Sequence, residues 1–186
     1  MKAWPSTWLA DSPALRKWTR EDGSANRPLI VECVVSLRDI REVDLEIFFE
    51  HESDRVATLM AGYPTRDRES FLSHWRTKIL CENNVVKKTI VHERNVVGSI
   101  VCWQQDGKWL VGYWIGREHW GKGIATAALR EFLPQLEARP LHAYVATHNL
   151  ASARVLEKCG FTVSSYGTFF SEAHGQNIEE TIFIRN

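Results

Sequence analysis

The sequence predicts a mixed α/β domain: a sheet of mixed strand direction with helices packed against it. Three observations carry that prediction. Blocks with an apolar period near 2 alternate with blocks whose period is near 3.6. Three β-like runs follow one another with only short polar joints between them, and from residue 116 onward the order becomes helix, strand, helix, strand, strand. Strands interrupted by helices in this way bury their apolar faces as a sheet covered by helical layers. The 186 residues, 44% of them hydrophobic, suit one domain with an appendage and a single sizeable core.

Residues 1–28 stand apart from the rest. They hold Trp4, Trp8 and Trp18, and the stretch Glu21–Pro28 reads as a linker. Asp11-Ser12-Pro13 is suited to open a short helix. We expect an N-terminal extension over 1–28, either a docking arm or a segment without a role, and a domain over 29–186.

Within the domain, Ile30 to Leu37 is β-branched enough for a strand. Asp39 to Glu50 changes to helical spacing, with Ile40, Val43, Ile47 and Phe48 on one face and charged residues opposite. A short helix is expected over 53–60. After Tyr63-Pro64, a longer helix runs to about Glu82 with Phe71, Leu72, Trp75 and Ile79 as its buried stripe. Strands over 85–91, 97–104 and 109–115 are joined by Glu93-Arg94-Asn95 and Gln105-Asp106-Gly107, and Asp-Gly favours a tight hairpin. A helix over 121–138, a strand over 141–147, a helix over 150–158 and strands over 161–170 and 178–184 complete the order.

Charge excludes some functions. The 23 basic and 23 acidic side chains balance, and no Lys/Arg cluster marks a nucleic-acid or anionic-membrane surface. Cys33, Cys81, Cys102 and Cys159 form no C-x-x-C pair and have no His at zinc spacing, so reduced, packed thiols are expected. No apolar run reaches the ~18 residues of a membrane span, and residues 1–28 lack the basic-then-apolar layout expected of a secretory signal. A cytoplasmic protein without a metal is the default expectation.

The informative segment is His119-Trp120-Gly121-Lys122-Gly123-Ile124-Ala125-Thr126, where a strand gives way to a helix. A helix start offers unpaired N–H groups and a partial positive charge, which together bind phosphate. Glycines there let phosphate approach the backbone, Lys122 adds a positive charge, and Thr126 offers a hydroxyl. The Walker pattern fails because Gly123, not Ser or Thr, follows Lys122. The dinucleotide pattern fails because position 126 is Thr and the preceding strand belongs to a meander.

The run Trp120 to Ala125 resembles the pyrophosphate signature Q/R-x-x-G-x-G/A of the GNAT superfamily of N-acetyltransferases, with Trp120 in the Gln/Arg position. That spelling, and the run Asn149 to Phe161, are similar to the branch of ribosomal-protein-alanine N-acetyltransferases. The resemblance covers about residues 30 to 186. It implies a mixed, mostly antiparallel sheet of about seven strands, with the fourth and fifth splayed around the pantetheine arm of acetyl-CoA. Tyr113, Trp114 and Ile115 would lie along that arm, and an N–H near Ile115 would bond the thioester oxygen; ordinary sheet packing is the alternative for Tyr113 and Trp114.

Many members place a Tyr seven residues after the motif Asn to serve the departing thiolate; here that position is Leu156. Ser152 is the substitute, unless it only caps the helix. Asn149 either bonds a pantetheine amide or is an N-cap, and both roles are compatible. For the base, Glu118, His119, His148, Glu50 and His51 stand open beside a water relay, with His119 more at home in the loop. Phe48, Tyr63, Trp103, Tyr144, Phe169 and Phe170 are candidates to line the acceptor side. The implied partners are acetyl-CoA and a primary amine, either a protein N-terminus or a small molecule, acting on a monomer or homodimer. A non-catalytic acyl-CoA-binding module of the same fold is the alternative.

Overall fold

The computed structural model describes residues 34–186; the expectations for residues 1–28, for Cys33 and for the start of the first strand lie outside them. The order is β1 (Val35–Arg38), α1 (Asp44–Glu52), α2 (Arg55–Ala61), α3 (Arg68–His74), β2 (Val86–His92), β3 (Asn95–Gln105), β4 (Lys108–Ile115), α4 (Ile124–Phe132), β5 (Leu141–Ala146), α5 (Leu150–Lys158), β6 (Thr162–Ser171) and β7 (Gln176–Arg185). The seven strands lie in the order β1-β2-β3-β4-β5-β7-β6. All neighbours are antiparallel except β4 and β5.

Helices cover both faces. Ile124, Ala128, Leu129 and Phe132 of α4, with Leu156 of α5, join Ile100, Val111, Ile115 and Leu141 in the larger core. On the other face Leu45 and Phe48 of α1 pack with Phe71, Leu72 and Trp75, the stripe expected for the long helix. That helix continues past α3 as a wider π-helical segment, Trp75–Leu80, and its N-cap is Asp67, which accepts from Ser70 N–H.

Three elements depart from the sequence expectation, and α1 also starts at Asp44 rather than Asp39. The expected apolar face of α1 is rotated: Val43 precedes the helix and is exposed, and the buried face is Asp44, Leu45, Phe48 and His51. The inward face carries a buried carboxylate. Asp44 accepts from Arg38 (2.6 and 2.7 Å), Arg41 N–H (2.8 Å) and Thr89 Oγ1 (2.7 Å). Burial raises its pKa, but these donors outweigh that and hold it below the usual Asp value. The helix expected over 121–138 is shorter at both ends. Gly121 and Gly123 take positive φ and stay in the loop, and Leu133–Gln135 tightens into a 3₁₀ turn containing Pro134. The last hairpin is longer than expected, with both strands extended towards a turn at 172–175.

Cys102 and Cys159 are buried, as expected of packed thiols, and burial pushes Cys102 up to about 11. Cys81 is exposed instead, donating to Arg76 O. No helix among the described residues is long and apolar enough to cross a membrane.

Candidate active site

The centre of the site is the place where the sheet opens. β4 and β5 pair only at Trp109–Leu141 and Leu110–His142. Beyond Leu110 the two strands have no ladder between them. Gly116 N–H donates to Val97 O (3.0 Å) on β3. Because backbone direction alternates along an antiparallel strand, Trp114 also faces β3, and the N–H groups of Tyr113 and Ile115 face the gap.

The carbonyl of Ile115 is already occupied by the Trp120 indole N–H (2.8 Å). That bond folds the chain back at the strand exit. His119 N–H to Gly116 O and Trp120 N–H to Arg117 O complete the turn. Trp120 is thus the fastener of the loop.

Gly121 (φ +74°) and Gly123 (φ +77°) follow, and Gly123 is the N-cap of α4. The first helical bond runs from Ala127 N–H to Gly123 O, so the N–H groups of Ile124, Ala125 and Thr126 precede the ladder. A Cβ added at either glycine meets no protein atom within 4 Å. Both glycines therefore face open space over a row of free donors, which phosphate oxygens can fill. Ile124 contributes only its backbone, since its side chain is in the core. Lys122 is exposed beside this row.

On the α5 side Asn149 is a genuine N-cap: its Oδ1 accepts from Ser152 N–H at 3.0 Å. Ser152 Oγ lies 2.8 Å from the Tyr113 hydroxyl. Leu156 is buried in the core. Tyr113 thus reaches α5 across the gap, whereas Trp114 obeys sheet packing. Its indole points to the opposite face and donates to His51 O (3.1 Å), so it is withdrawn from the expected cofactor row.

Three of the five residues considered for the base come together. Glu118 Oε1 lies 3.4 Å from His51 Nε2 and 3.3 Å from His119 Nε2. His51 comes from the end of α1 and is buried against Gly116, where an added Cβ would stand 2.6 Å from its Nε2. Arg117 pairs with Asp54 (2.7 Å), tying the same turn to the N-cap of α2. Burial holds both imidazoles below their usual pKa; Glu118 is held low by its own backbone N–H and by the two rings.

Among the described residues this is the one His/Cys/Asp/Glu group compact enough to share a cation. Its chemistry favours an imidazole–carboxylate pair. His51 Nδ1 is buried without a partner, whereas a metal-bound imidazole gives its other N–H to an acceptor.

Glu50 is exposed and outside this group. His148 is outside it too: its Nε2 lies 3.2 Å from Leu59 O of α2, and its ring packs against His174. Phe48 is core, packed on Trp75, and Trp103 sits on β3 opposite Leu110, at the closed end of the sheet. Both leave the expected acceptor wall for that reason. Tyr63 and Phe169 stack at 5.4 Å, and Phe170 is exposed. Tyr144 is half-buried on β5 opposite Ile182.

Glu52 was missed by sequence reasoning. Burial pushes its carboxyl up to about 7, against a lowering pull from Arg66. Nothing in sequence spacing separates it from exposed Glu50, because the difference is burial alone.

A sequence model described as an acetyltransferase (GNAT) domain matches residues 35–162. The chain belongs to the GNAT family. The GNAT domain is 31% identical over 101 residues to a Bacillus subtilis protein, YdaF, provisionally named a ribosomal N-acetyltransferase, covering 50% of this chain and 55% of that one. It is 29% identical over 84 residues to an uncharacterized N-acetyltransferase of Bacillus licheniformis, covering 43% and 47%. The chain thus spans about half the length of the curated relatives it matches.

In fold, the GNAT domain superposes on a GNAT-family acetyltransferase of Bacillus anthracis with a TM-score of 0.69 at 18% identity, over 81% of this chain and 93% of that one. Spermidine N-acetyltransferase of Vibrio cholerae, solved with CoA and spermine, superposes with a TM-score of 0.68 at 18% identity, over 81% and 95%.

Proposed function

We propose that this GNAT domain moves an acetyl group from acetyl-CoA to a primary amine, by direct attack of the amine on the thioester in a ternary complex. The observation that carries the reading is the two-glycine row of free N–H groups at the mouth of the opened β4–β5 gap. Gly121 to Thr126 would hold the pyrophosphate, with Lys122 adding charge. The gap-facing N–H groups of Tyr113 and Ile115 would hold the pantetheine arm and the carbonyl oxygen, where negative charge develops on attack. Asn149 orders the α5 turn that presents Ser152 to the sulfur side.

Acetyl-CoA supplies the activated acyl group. The chain's own residues orient it and handle the proton that the amine must lose. We assign that proton to Glu118, steadied by His51 and His119 on one oxygen. The acceptor class is a primary amine, either a protein N-terminus or a small molecule. The stacked Tyr63–Phe169 pair offers an aromatic wall beside α2.

Free thiol release from acetyl-CoA with a panel of peptides and small amines tests the reading. Amine-dependent release is expected. Tight acetyl-CoA binding without release across the panel would leave a non-catalytic acyl-CoA-binding module instead.

A further inference from the structure

Four cations that lie far apart in sequence meet at one cavity. Arg130, Arg139, Lys158 and Arg185 line a space of about 310 Å³, together with apolar Leu133 and the Cys159 thiol. Arg130 and Lys158 belong to the last turns of α4 and α5. Arg139 stands just before β5, and Arg185 of β7 pairs with Leu141, which also pairs with Trp109 of β4. The cavity is therefore at the closed end of the sheet. Along α4, Arg130 is roughly two helical turns beyond the glycine row.

None of the four cations makes an ion pair among the described residues. The free carbonyls at a helix C-terminus ordinarily repel an anion. Here Arg130 donates to Lys158 O (3.2 Å), and Arg139 donates to Leu136 O (3.2 Å) and Leu133 O (3.5 Å). Those bonds cover the carbonyls and hold both guanidiniums in place. At Gly160 an added Cβ would stand 3.3 Å from Arg185 Nε, so the glycine lets that guanidinium come close to the end of α5. Cys159 is buried, and burial pushes its thiol up against the lowering pull of Arg130 and Arg185 beside it. Like charges this close, with no carboxylate lining the space, repel one another unless an anion fills it.

We propose that this cavity is a second anion site, separate from the glycine row, which takes a di- or triphosphate group on Arg130, Arg139, Lys158 and Arg185. The inference goes beyond the acetyl-transfer reading and does not depend on it. A monoanion would leave most of the charge of four cations unmet. Guanidinium groups bind phosphate through two N–H groups at once, and an ammonium adds a point charge. A short chain of tetrahedral phosphates presents oxygens in every direction. Cations arriving from four separate segments can then each find a partner on one small ligand.

The test titrates the full chain with inorganic tripolyphosphate and with ADP by calorimetry at low salt, where screening is weakest. Each titration is run with and without saturating acetyl-CoA. With acetyl-CoA present, one site per chain should remain, its tripolyphosphate affinity unchanged within about twofold, as for distant independent sites. Lys158→Ala and Arg185→Ala should each weaken that site about three- to tenfold, the range for exposed charge-assisted contacts. The double variant should weaken it about 10- to 100-fold if the two contacts add. Arg68→Ala removes an equal charge elsewhere and should leave the affinity as it is. Tripolyphosphate binding more tightly than ADP assigns the site to inorganic polyphosphate, and the reverse order assigns it to a nucleotide. Loss of the site when acetyl-CoA binds would merge it with the glycine row. Equal affinity in the double variant and the wild type would place it elsewhere. Either result, or no binding of either anion, overturns the proposal.

Discussion

The two faces of the sheet are built to different logics. On the α4–α5 face the candidate chemistry is mostly backbone: a row of N–H groups, two positive-φ glycines and a capped helix turn, all within short runs of sequence. On the α1–α3 face it is side chain: a buried imidazole and a buried carboxylate, brought to their partners from distant segments. Local backbone geometry is encoded locally, so the first face is readable as a motif. Convergence of side chains depends on how whole elements dock, so the second is not.

The largest effect should come from breaking the second face at its buried charge. Asp44→Asn leaves the Arg38 guanidinium short of its counterion and should cost about 3 kcal/mol of stability, read from urea unfolding. The pH dependence has a definite sign. The folded pKa of Asp44 lies below the unfolded one, so its contribution is complete above the ordinary Asp range near ~3.9. It is lost as pH falls through the folded-state value. The wild type should therefore lose more stability on acidification than the Asn variant does.

Next comes the first face. Gly123→Val forces a β-branched residue to φ +77° and fills the space over the N–H row. Acetyl-CoA affinity should fall by about 10- to 100-fold, the strain alone being on the order of 1–3 kcal/mol. Unchanged affinity in calorimetry would sever the loop from the cofactor.

Gly116→Ala separates the faces more finely. Its Cβ would stand 2.6 Å from His51 Nε2, so the imidazole must move away from Glu118. Turnover should drop by about tenfold while acetyl-CoA affinity changes by less than about twofold, as overpacking of roughly 1–3 kcal/mol is relieved at His51. Equal turnover would remove His51 from proton handling. The smallest effect is expected at Arg68→Ala. It removes an exposed pair with Glu46 and should change stability by less than about 1 kcal/mol in the same urea assay.

Particular residues show where legibility stopped. The Phe71, Leu72 and Trp75 stripe was readable because helical spacing and burial agree there. Val43 was misplaced because apolar spacing alone cannot show that Asp44, held by Arg38, Arg41 and Thr89, turns inward one position later. In the sequence Glu118 is one of five base candidates, and only the fold sets His51 and His119 on one of its oxygens. Tyr113 and Trp114 are adjacent in sequence. The pleat alone sends one to α5 and the other to α1, and no composition rule says which.

By itself, the sequence determined the strand and helix order, the turn at Asp106-Gly107, the glycine row before α4 and the Asn149 cap. These depend on periodicity and on φ preferences within a few residues. Only the tertiary structure decided that β4 and β5 part after Leu110, that Tyr113 meets Ser152 across the opening, and that His51 reaches Glu118 over Gly116. Those contacts join segments tens of residues apart. They follow from packing two helical layers on one twisted sheet, a condition no short stretch of sequence contains.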